Sequence, residues 1–416
     1  MIREYLKDNR RKLDNTAKIF SLEDKKNRNM FRFSIVLKEK VDPIVLNSVV
    51  IKTLDTYPMF KVKIRSGFFW NYMVPNKKVP IIEEENVLPR RFDIRENNDY
   101  LFKITYSDKK INLDFFHVLT DGSGAIEFLR SIISNYLDIR YDLERMPSKE
   151  VVCKVNYQDQ YLKNYDKTIS IPKEVKKVFQ IPGKSNKNIN NTYHYILNVA
   201  DIKKICKKYN STITEYLTAI YIYILYSAYF KNDSKKEIVI SVPVNLRKYY
   251  NVFTLSNFFT CMNINVRVNE NGLNIFDMIL NAVHNEYERK LNFKEIRKYL
   301  YRDVKLGKNV IINLIPLFIK KFFIKYFGVF FMKGSTSTLS NVGIINIDEV
   351  YKKYIDNIFV LVIPGRIQKI KCTICSYNDK LNIIINSSIN DVDFQKRFYS
   401  FLKSEIGNIK IVSNKK

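Results

Sequence analysis

Histidine and cysteine are scarce in this sequence, with three His and five Cys in 416 residues. The cysteines (Cys153, Cys206, Cys261, Cys372, Cys375) are odd in number and scattered. Only Cys372 and Cys375 form a Cys-x-x-Cys, inside a strand-like run with no second pair and no His cluster beside it. That argues against a zinc site and for reduced structural thiols in a cytosolic protein. The opening Met1-Ile2-Arg3-Glu4-Tyr5 has no apolar core, so no signal peptide is expected. An uninterrupted apolar run is also missing. Ile213 to Phe230 is broken by Glu215, which forms a capping-box pair with Thr212 and predicts a buried helix. Asn309 to Lys333 carries Lys320, Lys321, Lys325 and Lys333. Lysines through its middle exclude a spanning helix. A core-packed helix is the preferred reading, and a basic amphipathic helix on a membrane or over a greasy channel is the alternative.

Acidic residues are the other deficit, at 42 Asp plus Glu against 70 Lys plus Arg, a net charge of +28. Such a balance suits nucleic acid, an anionic membrane surface or a polyanion such as the phosphates of coenzyme A. Heavy use of Lys, Asn, Ile, Tyr and Phe, as an AT-rich gene gives, is the rival origin. The basic residues form no arm or block, which argues against nucleic acid.

What is present is globular: 46% hydrophobic and 27% charged residues. The 28 Tyr and 28 Phe favour strands. The length suits two lobes, placed at 1–165 and 185–416. Strands are expected at 31–37, 60–64, 68–73, 100–106 and 111–117, with a helix opened by Asp42-Pro43. An irregular crossover spans 138–191. Strands follow at 193–199, 237–242 (ending at Pro243), 262–268, 358–363, 369–376 and 381–386. Helices are expected after Asp201 and Thr212, over 275–308 and over 391–406. The fold class is therefore α/β, in two lobes sharing a cleft or tunnel.

Phe115 to Gly122 stands out. Ile111, Leu113 and Phe115 alternate with Asn112 and Asp114, which predicts a strand with one buried face. His117 has the parity of the buried set. Thr120-Asp121-Gly122 then supplies turn chemistry before a helical pattern from Ala125 to Leu137. The loop can thus hold a carboxylate near an imidazole.

This H-x-x-x-D-G run resembles the active-site motif of the chloramphenicol-acetyltransferase-like superfamily. Other segments add to the likeness. Arg11 to Phe20 and Pro58 to Tyr72 resemble the bacterial alcohol acetyltransferase branch. Pro243-Val244-Asn245-Leu246-Arg247 resembles a P-V-x-L-R segment, and Leu339-Ser340-Asn341-Val342-Gly343 an S-N-x-G segment facing the His across the cleft. Two departures narrow the branch. Phe116 stands where condensation domains usually have a second His, and the plant D-F-G-W-G segment is absent.

The resemblance implies acyl transfer from a coenzyme A thioester, or an acyl carrier protein, to a small-molecule or lipid-like hydroxyl acceptor. No metal is needed. His117 would be the general base. Asp121 would be structural and pair with Arg247, and Gly122 would let the backbone turn against the opposite lobe. Ser340 and Asn341 would donate to the oxyanion, with Asn245 and Thr338 as further candidates. Asn341 to Gly343 as a plain turn is the rival. His194 and His284 lack comparable context. The implied location is cytoplasmic, with peripheral membrane contact through 309–333. The alternative is a catalytically silent module that binds a carrier protein or lipid.

Overall fold

The computed structural model describes residues 10–22, 29–85, 93–144, 156, 158–169, 178–186, 190–230, 236–268, 274–323 and 333–414. Cys153, 324–332 and much of the expected crossover lie outside them.

The first sheet has five strands, in the order Ile355–Val362, Met30–Leu37, Lys110–Phe116, Phe102–Ser107 and Ile82–Glu84. Odd-numbered Phe31, Phe33, Ile35, Leu113 and Phe115 share one face and join the core formed with the helices Pro43–Thr56 and Gly122–Tyr141. The alternation predicts a polar outer face, yet that face is buried too. Arg32 makes a bidentate bond to Asp114 (2.8 and 2.6 Å) and an ion pair to Glu85 (2.7 Å), while Ser34 donates to Asn112 (2.7 Å). Mutual pairing is what allows these groups to leave water. A smaller sheet joins Arg11–Lys12, Asn71–Pro75 and Val62–Ser66.

The second sheet has seven strands, in the order Phe259–Val266, Ile238–Asn245, Ser337–Ile344, Ile370–Tyr377, Lys380–Ser387, Asn191–Asn198 and Lys410–Ser413. Ile240, Met262, Leu339, Cys372, Ile374 and Ile383 share a core with the helices Val199–Lys208, Ile213–Tyr229, Ile275–Lys290 and Asp393–Ile406. Residues of the other parity, Cys375, Tyr377 and Ile384, belong to the first lobe's core. The lobes thus meet against one face of the second sheet. Cys372 and Cys375 are free thiols in different cores, so they cannot form a pair.

Among the local expectations that change are two in the second sheet and its helices. The Val199–Lys208 helix is capped by Asn198, whose side chain accepts from the Ala200 N–H (2.7 Å), and Asp201 lies in its first turn. The strand expected to stop at Pro243 runs on to Asn245. On that side Ser337–Ile344 pairs only with Ile240 and Ser241, so the missing Pro243 N–H costs no rung there.

Strand Ile355–Val362, late in the sequence, completes the first sheet by pairing with Met30–Leu37. Asn382 exchanges bonds with Asn357 (2.8 and 3.0 Å), and Asn386 donates to the Val362 carbonyl (3.0 Å). Side-chain amides therefore join the two sheets. The N-terminal segment also bridges the lobes. Arg11 donates to Ser256 (2.6 Å), Asn15 to the Asp303 carbonyl (2.8 Å), and Thr16 to Tyr161 (2.8 Å).

Candidate active site

His117 follows directly on the strand Lys110–Phe116 and is half-buried at the seam. Its ring lies among Phe31 of the first sheet (4.9 Å between centroids), Phe20 of the N-terminal segment (4.8 Å) and Phe259 of the second lobe (5.3 Å). Nδ1 is 3.0 Å from Asn257 Oδ1. The Asn257 amide nitrogen donates to the His117 carbonyl (3.0 Å) and to Asp14 Oδ2 (3.3 Å). A backbone carbonyl only accepts, so the amide can face His117 in one orientation alone. Asn257 Oδ1 must then accept from His117, which places the proton on Nδ1. Nε2 keeps its lone pair, and among the described residues nothing hydrogen-bonds to it.

Burial pushes the His117 imidazole below its ordinary pKa, and the Lys371 ammonium acts in the same direction. The Asp121 charge, the Asn257 bond and the residue's own carbonyl oppose this without reversing it. The ring is therefore neutral near pH 7. Burial also pushes the Asp14 carboxyl up to about 7, against the Ala17 N–H it accepts from.

Asp121 points elsewhere. It caps the helix Gly122–Tyr141 through the Gly124 N–H (3.1 Å) and accepts two bonds from Arg247 (2.8 and 2.9 Å) and one from the Phe258 N–H (2.8 Å). Burial would raise its pKa, but the Arg247 charge and these donors hold it below the usual carboxylate value. Arg247 also donates to the carbonyls of Thr254 and Ser256 (both 2.8 Å). The pair therefore fixes the 254–258 loop, which carries Asn257 beside His117. Asp121 reaches the imidazole as a charge and through this scaffold.

No protein-family model matches the chain, and no curated protein matches its sequence. Solved structures do match. Fusarium sporotrichioides TRI101 complexed with coenzyme A and T-2 is 10% identical over 97% of this chain and 99% of that one, at a TM-score of 0.65. TRI3 trichothecene 15-O-acetyltransferase from the same fungus is 10% identical over 95% and 94%, at 0.62. A starter condensation domain of rhizomide synthetase in complex with C8-CoA is 11% identical over 98% and 97%, at 0.60. The fold is the chloramphenicol-acetyltransferase-like one.

On this chloramphenicol-acetyltransferase-like frame the other candidates separate. Asn245 is committed on both ends, donating to Ser123 Oγ (2.9 Å) and accepting from the Arg247 N–H (3.0 Å). Asn341 donates to Thr214 (2.8 Å) and accepts from the Gly343 N–H (2.9 Å), shaping a bulge in its strand. Both amides are already used within the protein. Thr338 donates to Gln368 (2.9 Å). Ser340 is half-buried and pairs in register with Thr373, whose buried hydroxyl has no hydrogen-bond partner among the described residues. Leaving such a group unmet costs about 1–3 kcal/mol. Thr373 and Lys371 have the parity of Cys375 and Tyr377, so they lie on the seam side of the sheet.

The tight approach expected at Gly122 falls at Gly124. A Cβ on Gly122 would meet nothing within 4 Å, whereas one on Gly124 would lie 2.3 Å from Thr120 Oγ1 and 2.4 Å from the Leu255 carbonyl. The close approach to the opposite lobe is at Gly124, because the helix starts against the 254–258 loop there.

Asn257, Asp14, Lys371 and Thr373 escaped the sequence reading. One signal was available for Asn257. Thr-Leu-Ser-Asn occurs twice, at Thr254–Asn257 and Thr338–Asn341, and only the second copy drew notice. The remaining histidines sit differently. His194 is buried with Nε2 on Asn382 Oδ1 (2.7 Å), and burial pushes it down to about 4. His284 lies on a helix beside Glu215 (3.6 Å) and Glu288 (3.5 Å).

Proposed function

We propose that this chain is an acyl-CoA-dependent O-acyltransferase that moves an acyl group from a thioester to a hydroxyl acceptor. The observation that carries the reading is the pair of Asn257 contacts, amide nitrogen on the His117 carbonyl and amide oxygen on Nδ1, which assigns the proton to Nδ1 and leaves Nε2 as a base between two lobes. Structures of the same fold hold coenzyme A with T-2, and C8-CoA, which supports a thioester donor and an alcohol acceptor here.

In this mechanism Nε2 takes the acceptor hydroxyl proton as the oxygen attacks the thioester carbonyl. The new C–O bond places negative charge on the carbonyl oxygen. The Ser340 hydroxyl donates to it, and the Lys371 charge lowers its energy from the same sheet face. Collapse breaks the C–S bond, and the leaving thiolate recovers the proton from Nε2. The products are an ester and free thiol, with His117 restored and no acyl-enzyme formed. Asn257 holds the ring, while Asp121 and Arg247 hold the loop.

The test is incubation of purified protein with acetyl-CoA and a panel of alcohols from short to lipid-like. Ester and free thiol should appear in equal amounts, and only when both substrates are present. Thiol without ester would mean hydrolysis in place of transfer, and no thiol with any acceptor would favour a catalytically silent binding module.

A further inference from the structure

Of the segment 309–333, expected to be core-packed, the described residues 309–323 are not. The helix Val310–Leu314 and the helical residues 317–323 lie on the surface, folded against the hairpin tip at Gly67–Trp70. Leu317 N–H donates to the Phe68 carbonyl (2.8 Å) and Lys320 Nζ to the Phe69 carbonyl (2.9 Å). Trp70, the single tryptophan, donates to Asn313 (3.0 Å) under the Lys320 ammonium, 3.7 Å from the ring. These bonds fix the inner side. The outer side exposes Phe68 (69%), Val310 (69%), Ile311 (74%), Leu314 (64%) and Phe318 (70%). Soluble surfaces seldom gather large apolar side chains this way without a partner.

Charge says which partner. No Asp or Glu occurs between Asp303 and Asp348, nor between Asp55 and Glu83, the two stretches that build this face. Beside it, Lys18, Lys167 and Lys308 line a hollow of about 520 Å³ together with Tyr165 and Asn313. A second copy of the chain would set these cations against their own kind in a two-fold contact. A protein interface ordinarily carries a mixed polar rim. Apolar side chains beside a lysine-lined hollow fit hydrocarbon under anionic headgroups.

We propose that this face docks on an anionic lipid bilayer, with Phe68, Ile311, Leu314 and Phe318 at the acyl boundary and Lys308 among the headgroups. Binding itself stands apart from the transfer reaction. Under the reaction proposed above, it would present the seam to acceptors that partition into membrane.

Flotation of the full chain with vesicles tests this. The protein should float with phosphatidylcholine vesicles containing phosphatidylserine, remain behind with phosphatidylcholine alone, and be released by high salt. Ile311→Glu with Phe318→Glu should lower partitioning at least about 100-fold, and Lys308→Ala about fivefold. Both variants should keep wild-type circular dichroism and, if the chain is an acyltransferase, wild-type thiol release with a short soluble alcohol. Flotation that ignores lipid charge, is absent, or survives the double substitution would overturn the proposal. So would a concentration-dependent dimer abolished by the same substitutions. Flotation without turnover would sustain this proposal while removing the enzymatic one.

Discussion

The imidazole at 117 is set by one amide. Asn257 donates to the His117 carbonyl and accepts from Nδ1, so Asn257→Ala should let both neutral tautomers form. With three histidines in the chain, long-range ¹⁵N–¹H spectra compared with His117→Ala assign the ring directly. Wild type should show protonated Nδ1, and Asn257→Ala a mixture, with turnover down about 10²-fold from lost alignment. Unchanged spectra would remove Asn257 from its role. Burial favours the neutral ring, so the acid limb of kcat/KM should fall at a pH below the ordinary His value. The sequence placed His117 at a strand end with the right parity. Asn257 was hidden because its meaning depends on a contact across 140 positions, which no local spacing encodes.

At the scale of elements, the junction between Lys110–Phe116 and Gly122–Tyr141 is where loop, helix and opposite lobe meet. Gly124→Ala should destabilise the protein by about 1–3 kcal/mol, because a methyl there meets the Leu255 carbonyl. Gly122→Ala should be near neutral, although it alters the motif, and the comparison is read from paired urea melts. Equal effects would contradict the packing described here. The Asp121–Arg247 pair adds a pH signature. The folded-state pKa of Asp121 lies below its unfolded value, so its contribution is fully present above the ordinary Asp range. It is lost as pH falls through the lower folded value. Most elements were legible because period-2 and capping patterns are local. The strand Ser337–Ile344 was visible only as a motif, since its polar residues face a seam rather than water.

At the scale of the molecule, two α/β lobes were readable from length and element order, while their interlocking was not. Strand Ile355–Val362 follows the second lobe's strand Ser337–Ile344 in sequence yet pairs with Met30–Leu37, a choice set by tertiary partners. The buried Arg32–Asp114–Glu85 group was likewise unreadable, because alternation cannot tell a solvated polar face from a paired one. The +28 charge now has one local expression, in an acid-free apolar face beside a lysine-lined hollow. The seam ties these scales together, since His117, its amide clamp and the unmet Thr373 hydroxyl come from three separate parts of the chain.

The most direct measurement compares initial thiol release by wild type and His117→Ala with the same acetyl-CoA and the alcohol that wild type uses best. The expected result is a fall of about 10²–10⁴-fold, the span of a lost general base, with the variant still folded. A His117→Ala rate equal to that of wild type would contradict the central claim.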